Sequence, residues 1–577
     1  MIKNLLKYEQ ICANIISETL IVKYFRERTH TYIMNKFLAK IKTAGERPLN
    51  QKLFFILFVI IPVFYLMERL VCSVYDSDMY FLIATGREIL ENGIPHTNVW
   101  TIDSSSGIIV QQWLYDVILA FVDKAGYTGF SLFICLEFCI FAALWMYFFS
   151  MRKVPKVLSF FLLILISMPA QDYLFSIRPQ IITMILVLGS CIALEKFAWT
   201  KKYRWLILLP VLSCLEMQVH ASMWFLHFAV ILAYMIPAFY FKPFGGHLAD
   251  DFMLRFWKPV GITCIAMAGS LFLNPYGSDG VLYLIKSFKA HTFSYVSVME
   301  VNATEFISPQ GATVILCIVL LVCAWKSGSL ASTTVNMTAG FLLMMMMAIR
   351  NNTCCIFVMA FVMRDLAQFI YAKSDIIDWK KDLKLYIVPV LLFADLIFVT
   401  NFTTSCTNVF AGTDGSETNL PEISAEIRKN YNEDMHIFTG FNCGAYFEYD
   451  GFKNLYIDAR PEIYTSEFTG DKNILRDYSK YCVYGYDVSG MQSSLMSGAV
   501  VKMGVPVLQD EMDAWLAEYD FDYLVISPMS EPFLSAYLLN CNSDVSNTGI
   551  SYEIVSDVSN SYYALYRKVG LECEVCP

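Results

Sequence analysis

The chain has 577 residues, of which 56% are hydrophobic and 16% charged, and its mean hydropathy is +0.48. Soluble proteins carry about 25% charged residues, so this composition excludes an ordinary cytosolic enzyme, a disordered chain and a disulfide-stapled mini-domain. The net charge of −9 is unevenly spread: residues 402–577 hold 26 Asp and Glu against 10 Lys and Arg, whereas residues 1–401 are net basic by +7. A basic apolar part followed by an acidic mixed part predicts a polytopic α-helical membrane protein with a soluble C-terminal domain.

Residues 1–50 read as a basic amphipathic helix, with Lys23, Arg26, Lys36 and Lys40 among Ile, Leu and Phe. Such a helix anchors on anionic lipid at the cytoplasmic surface; a partner-binding helix is the alternative. Residues 51–401 contain eleven apolar stretches, near 53–72, 127–149, 156–169, 180–198, 205–220, 221–241, 258–273, 311–325, 332–349, 353–371 and 384–401. A crossing needs about 20 such residues, and Pro62, Pro169, Pro210 and Pro237 soften several boundaries. The first stretch is not a cleavable signal, because a long Lys- and Arg-rich segment precedes it and no small-residue cleavage site follows. With the N-terminus inside, cytoplasmic segments hold 26 Lys and Arg and outside loops 6, which orients the bundle N-in. Eleven spans then place residues 402–577 outside the cytoplasm.

The first outside loop, 73–126, is long and patterned: a helical run 80–92, a turn at 104–107 and a second helix 111–124. Leu82, Ile83, Ile89 and Leu90 give the first helix an apolar face, which predicts that it lies on the membrane surface. Asp76 and Asp78 leave the first span where a carboxylate meets lipid-borne substrate. One can take a proton from a hydroxyl, and its neighbour can hold a divalent cation. The alternative is that both merely cap the helix. His220 and His227 flank the hairpin between the fifth and sixth spans, and a buried His bonded to backbone is the plain reading. Asn274-Pro275-Tyr276-Gly277 reads as a span-ending turn.

In the C-terminal domain, residues 402–420 read as a linker. A helix 421–431, strand 435–440, helix 443–449, strand 455–458, helix 510–519, strand 522–527 and a hairpin (551–556, 562–567) follow, which predicts an α/β domain. Asp458, Arg460 and Glu462 come directly after a buried strand, as an internal salt bridge or as a site for acceptor or glycan. Six of the 17 cysteines lie here, an even number that permits disulfides without fixing their pairing. No phosphate-binding Gly-x-x-x-x-Gly-Lys-Ser/Thr loop, dinucleotide loop or HExxH motif is present, and the acidic domain repels nucleic acid.

The run Asp76-Ser77-Asp78-Met79-Tyr80-Phe81-Leu82-Ile83-Ala84-Thr85 resembles the first-loop signature of the GT-C glycosyltransferase superfamily. It is similar to the acidic-x-Asp-x-x-Phe-x-x-Arg-Ala-Thr run of oligosaccharyltransferase catalytic subunits, with Ile83 in place of the arginine. It also resembles the Asp-Glu pair of protein mannosyltransferases and lipid A aminoarabinose transferases. Five further runs resemble the bacterial RgtA/B/C/D-like membrane glycosyltransferases. These are Asn92-Gly93-Ile94-Pro95-His96 with Gln112-Trp113-Leu114, Ser176-Ile177-Arg178-Pro179-Gln180, Val219-His220, Asn274-Pro275-Tyr276-Gly277 and Ala348-Ile349-Arg350-Asn351. The resemblance implies transfer of a sugar from a polyprenyl-phosphate-linked donor to an extracytoplasmic acceptor, with inversion. Asp78 is then the base and Asp76 its partner. Arg178 or Arg350 is the phosphate clamp, although each also suits a span end. Asp172 and His220 become candidate substrate contacts, and a divalent cation is a possible cofactor.

Two other classes remain: a transporter or flippase of lipid-linked glycans, and a non-catalytic scaffold of envelope assembly. Transporters usually carry internal repeats and mid-membrane charges. The sequence suggests neither a repeat between halves nor a charge pair within a span.

Overall fold

The computed structural model describes residues 77–102, 107–154, 156–167, 170, 174–235, 256–289, 309–327, 330–347, 349–373, 418–470, 472–486, 506–541 and 552–569. The chain divides into two units, Met1–Glu68 with Lys373–Cys406, and Arg69–Ala372 with Thr407–Pro577. Of the first unit only Lys373 falls among the described residues. The basic segment 1–50, the expected spans 53–72 and 384–401, Asp76 and Asp172 therefore lie outside them. Everything below concerns the second unit.

Its first half is helical: α1 (Ser77–Asn92), α2 (Trp113–Asp123), α3 (Gly126–Ser150), α4 (Lys156–Ser167), α5 (Gln180–Thr200), α6 (Arg204–Val219), α7 (Phe225–Met235), α8 (Trp257–Ser270), α9 (Ser278–Lys289), α10 (Pro309–Ser327), α11 (Ser332–Met347) and α12 (Cys355–Lys373). Among the described residues, Thr128–Ser150 and Gln180–Thr200 are long and apolar enough to cross a membrane. A third candidate is the pair Trp257–Leu273 and Ser278–Lys286, bent by 98°. Nine of the stretches expected from sequence carry helices among the described residues, where the count of eleven crossings is not reached by length and composition alone.

The bundle is apolar on both sides. Its centre is α5, whose Ile181, Met184, Val187, Leu188, Cys191, Leu194 and Phe197 are buried. Exposed apolar stripes recur at four-residue spacing, as Leu132, Leu136 and Ile140 on α3 and Ile207, Val211 and Leu215 on α6. Such stripes are costly in water and matched by lipid.

Charges do meet inside this bundle, against the expectation from sequence. Arg364 of α12 donates to Glu195 of α5 at 2.9 Å, and Arg152 reaches the same carboxylate at 3.3 Å. The Arg364 guanidinium also lies 4.0 Å over the Phe148 ring. A one-dimensional reading missed the pair because its members are 169 residues apart.

Helix α1 ends at Gly93, whose φ of +87° is the left-handed conformation that terminates helices. It packs on α2 at Gly86, where a Cβ would fall 2.0 Å from the Asp116 carbonyl oxygen. Leu82 and Ile83 are buried and Leu90 is exposed. The apolar face of α1 therefore packs on protein instead of lying on a membrane surface, which corrects the sequence expectation.

The second half is a three-layer α/β domain. It runs α13 (Leu420–Arg428), β1 (Ile437–Thr439), α14 (Gly444–Tyr449), α15 (Gln509–Tyr519), β2 (Tyr523–Ile526), α16 (Pro532–Cys541), β3 (Tyr552–Ile554) and β4 (Ala564–Lys568). The sheet order is β1-β2-β4-β3, with β1 and β2 parallel and the remaining pairs antiparallel. Alternation along β2 sorts the faces: Tyr523 and Val525 join Ile423 and Ile427, while Leu524 and Ile526 join Trp515 and Leu534. Residues 455–458 are not a strand of this sheet. Leu455 makes only isolated bridges, to Ile437 on one side and to Thr101 on the other. Through it the 77–126 segment joins the domain, by Ile102 N–H to Leu455 C=O and Leu455 N–H to Trp100 C=O, both 2.9 Å.

Candidate functional site

Asp78 lies in the first turn of α1, where a carboxylate complements the helix dipole. Arg178 lies just before α5, next to Pro179 at its N-cap. Across 100 positions of sequence, Arg178 Nη1 and Asp78 Oδ2 stand 3.1 Å apart, with the side chains 15% and 34% exposed. The sequence reading gave acid and cation separate tasks; the structure makes them direct partners. Both side chains keep some contact with solvent, which screens the pair and lets an incoming anion reach it. Arg350 lies in a 3-10 turn, Ile349–Cys354, and its side chain is outside the described residues.

Helix α1 is braced from both sides. Gly86 brings it against α2, and the C-terminal domain packs on another part of its surface. Tyr80 packs its ring 5.2 Å from those of both Tyr446 and Tyr449. Arg87 donates to the Tyr449 carbonyl at 2.8 Å, stacks 4.3 Å over that ring and pairs with Asp123. The Arg460 guanidinium lies over Trp100 at 5.0 Å and Phe81 at 5.5 Å, one turn on from Asp78.

Arg460 is itself held by two buried acids. Its Nε donates to Asp458 at 3.1 Å, and its Nη2 donates to Asp458 and Glu448 at 2.5 Å each. Tyr464 also donates to Asp458, at 2.5 Å. The internal salt bridge read from sequence is thus present, as part of a larger cluster. Burial opposes the charged form of Asp458, but Arg460 and the hydrogen bonds outweigh it and hold the carboxyl below its ordinary range. Burial pushes Glu448 well above its range despite the same arginine. Asp116 of α2 is fully buried, and among the described residues neither of its carboxylate oxygens has a hydrogen-bond partner. Burial pushes it well above the carboxylate range, and Arg460 pulls it part of the way back.

His220 caps α6 at its C-terminal end, and its ring meets a side chain of α5. Nδ1 of His220 sits 2.7 Å from Thr183 Oγ1, whose hydroxyl donates to Glu216 Oε1 at 2.6 Å. Glu216 Oε2 faces His227 Nε2 at 3.5 Å, and His227 Nδ1 is 2.8 Å from Ser190 Oγ. Thr183, Glu216, His227 and Ser190 are fully buried or nearly so. Asn274 builds the expected turn, accepting from Tyr276 N–H at 2.8 Å. The Tyr276 hydroxyl then donates to Pro95 C=O at 2.9 Å and accepts from Val110 N–H at 3.2 Å, which ties the 77–126 segment to the bundle.

A second acidic position lies at the carboxyl ends of the parallel strands β1 and β2. Glu531 accepts from Tyr478 OH at 2.5 Å and from Ser527 N–H at 2.8 Å. Burial pushes its carboxyl up to about 7. Cys443 and Cys482 are buried free thiols, so these two of the six domain cysteines form no disulfide. Among the described residues no three His, Cys, Asp or Glu converge as metal ligands.

The described residues thus define a helical chain with apolar, outward-facing helices and a C-terminal α/β domain docked on the helix that carries Asp78. No family model and no curated protein matches the chain. Among solved structures it is similar to ArnT from Cupriavidus metallidurans in the apo state, a GT-C glycosyltransferase, at 8% identity over 88% of this chain and 97% of that chain. The TM-score is 0.45. A likeness at that level carries no argument about activity, and the functional reading rests on the residues.

Proposed function

We propose that the chain is a membrane glycosyltransferase of the GT-C type. It moves a sugar from a polyprenyl-phosphate carrier to an extracytoplasmic acceptor hydroxyl at the cell membrane. The observation that carries this reading is the contact between Asp78 and Arg178, 3.1 Å apart. A hydroxyl nucleophile needs a carboxylate to take its proton, and a departing phosphate needs a cation. The pair supplies both in one place, and in the resting protein each neutralises the other. A donor phosphate draws the guanidinium to itself by bidentate hydrogen bonding, which leaves Asp78 to receive the proton of the acceptor. The hydroxyl oxygen bonds to the anomeric carbon as the bond from that carbon to the phosphate oxygen breaks. Its electron pair leaves with polyprenyl phosphate, and the sugar inverts.

In this reading Asp76 partners Asp78, Arg350 is a second cation for the phosphate, and His220 and Asp172 contact substrate. The N-in bundle of eleven spans and a C-terminal domain outside the cytoplasm belong to the same proposal; the basic and acidic halves of the chain support it. The purified protein, reconstituted in a bilayer with a panel of polyprenyl-phosphate sugars, is expected to release polyprenyl phosphate from at least one. Release from none of them counts against the reading.

A further inference from the structure

We propose that the end of the helical bundle formed by the α3–α4 turn, the α5–α6 turn and the start of α8 is a binding surface for the headgroups of anionic phospholipids. The inference is independent of the transferase reading. In the proposed N-in arrangement the surface faces the cytoplasmic leaflet.

The outward apolar stripes fix where this end lies. On α6 the exposed stripe of Ile207, Val211 and Leu215 is preceded one turn earlier by exposed Tyr203. On α8 exposed Ile262 and Ile265 are preceded by exposed Trp257, and on α3 the stripe from Leu132 runs out at exposed Tyr147. Trp and Tyr at the ends of apolar stripes mark the level of lipid headgroups. Cations come directly after them: Lys153, Lys156, Lys202, Arg204 and Lys258 are all exposed. The three segments meet in space. Arg152 reaches Glu195 at 3.3 Å and stands 5.8 Å from the Trp199 ring. Phe256 packs 5.2 Å from Phe197, with Lys201 over its ring at 5.7 Å. Acids do not neutralise the patch: among the described residues of 150–156, 195–206 and 256–260, Glu195 is the one acid, and it is buried against Arg152 and Arg364. At the opposite end of α5, by contrast, Arg178 is paired with Asp78. Helix dipoles do not account for the cations either. Lys156, Arg204 and Lys258 sit in the first turns of α4, α6 and α8, where the dipole disfavours positive charge. Lys153 and Lys201 take left-handed backbone conformations, with φ of +60° and +57°, where glycine would be unstrained. Headgroup phosphates facing the patch offset these costs, because each basic residue near an anionic leaflet adds attraction.

The full chain is reconstituted in phosphatidylcholine bilayers with a trace of spin-labelled phosphatidylglycerol or spin-labelled phosphatidylcholine, and the fraction of each label held at the protein surface is measured. Wild-type protein is expected to hold the phosphatidylglycerol label roughly 5-fold more strongly or better, the ratio that one basic residue near an anionic surface supplies. Salt at about 1 M is expected to erase most of that preference by screening. A variant combining K153Q, K156Q, K202Q, R204Q and K258Q is expected to lose most of it. These side chains are exposed, so the packed interior is untouched, and basic residues elsewhere, those of 1–50 included, act equally in both proteins. K124Q with K286Q, which removes two exposed cations outside the patch, is expected to keep the preference. Equal retention of the two labels by wild type, an unchanged preference in the five-site variant, or the same loss in the Lys124 and Lys286 control overturns the proposal. The salt series needs no variant, and a wild-type preference that survives it intact overturns the proposal as well.

Discussion

Raising the pH from 5 to 8 is expected to weaken the C-terminal domain through one side chain, Glu531. Its carboxyl titrates at about 7 in the folded domain because burial disfavours the charge, against an ordinary value of 4.5. The unfolded chain releases this proton near 4.5 and the folded chain near 7, so the folded state binds more protons between those values. Stability from this group is therefore highest at low pH, falls as pH rises through the window, and levels off above about 7. A gap of about 2.5 pH units corresponds to roughly 3 kcal/mol at 1.36 kcal/mol per unit. E531Q removes the titration while leaving a group that can meet both Tyr478 and the Ser527 N–H. The opening free energy of β1 and β2, read by hydrogen exchange corrected for intrinsic rates, should fall by about 2.5 kcal/mol in the wild type between pH 5 and pH 8, the rest of the change lying below pH 5. The matched difference isolates Glu531 from the other buried acids, Asp116, Glu448 and Asp458. An E531Q protein with the same pH dependence as wild type would refute the reasoning.

Two further outcomes follow from the brace on α1. R460A leaves Asp458 buried without its guanidinium and uncovers Phe81 and Trp100. It should cost about 3–5 kcal/mol in unfolding of the C-terminal domain, and R460K should recover only part because lysine cannot reach both acids with a planar fork. Equal stability of R460A and wild type by chemical unfolding would contradict the cluster's role. G86A forces a methyl group against the Asp116 carbonyl and should destabilise the packing of α1 on α2 by about 1–3 kcal/mol, with no change at an exposed control such as Glu91→Ala.

Much of the helical architecture was legible because apolar runs of membrane length have few alternatives. The strands around 435–440 and 522–527 and the closing hairpin were legible from β-branched and aromatic alternation. Strand 455–458 failed for a physical reason: its backbone partners come partly from Trp100 and Ile102, more than 350 positions earlier, and no local pattern reports them. Asp78 and Arg178 were each recognisable from their motifs, yet their contact is a product of the bundle. Glu216 carried a usable signal, as the one acid in an otherwise apolar span, since an ionisable group at such a position has to be partnered. Thr183 carried none, because a threonine in an apolar helix is ordinary until its hydroxyl is seen between a carboxylate and a histidine. The apolar face of α1 pointed to burial, but periodicity cannot distinguish lipid from protein as the cover.

The most direct measurement is carrier release from a polyprenyl-phosphate sugar by wild-type protein and D78N, side by side in the same bilayer, with folding of both verified by their unfolding profiles. Release of polyprenyl phosphate by the wild type and its loss by at least about 100-fold in D78N, within the range typical for removal of a general base, is the predicted result. A D78N protein that releases carrier at the wild-type rate would contradict the account.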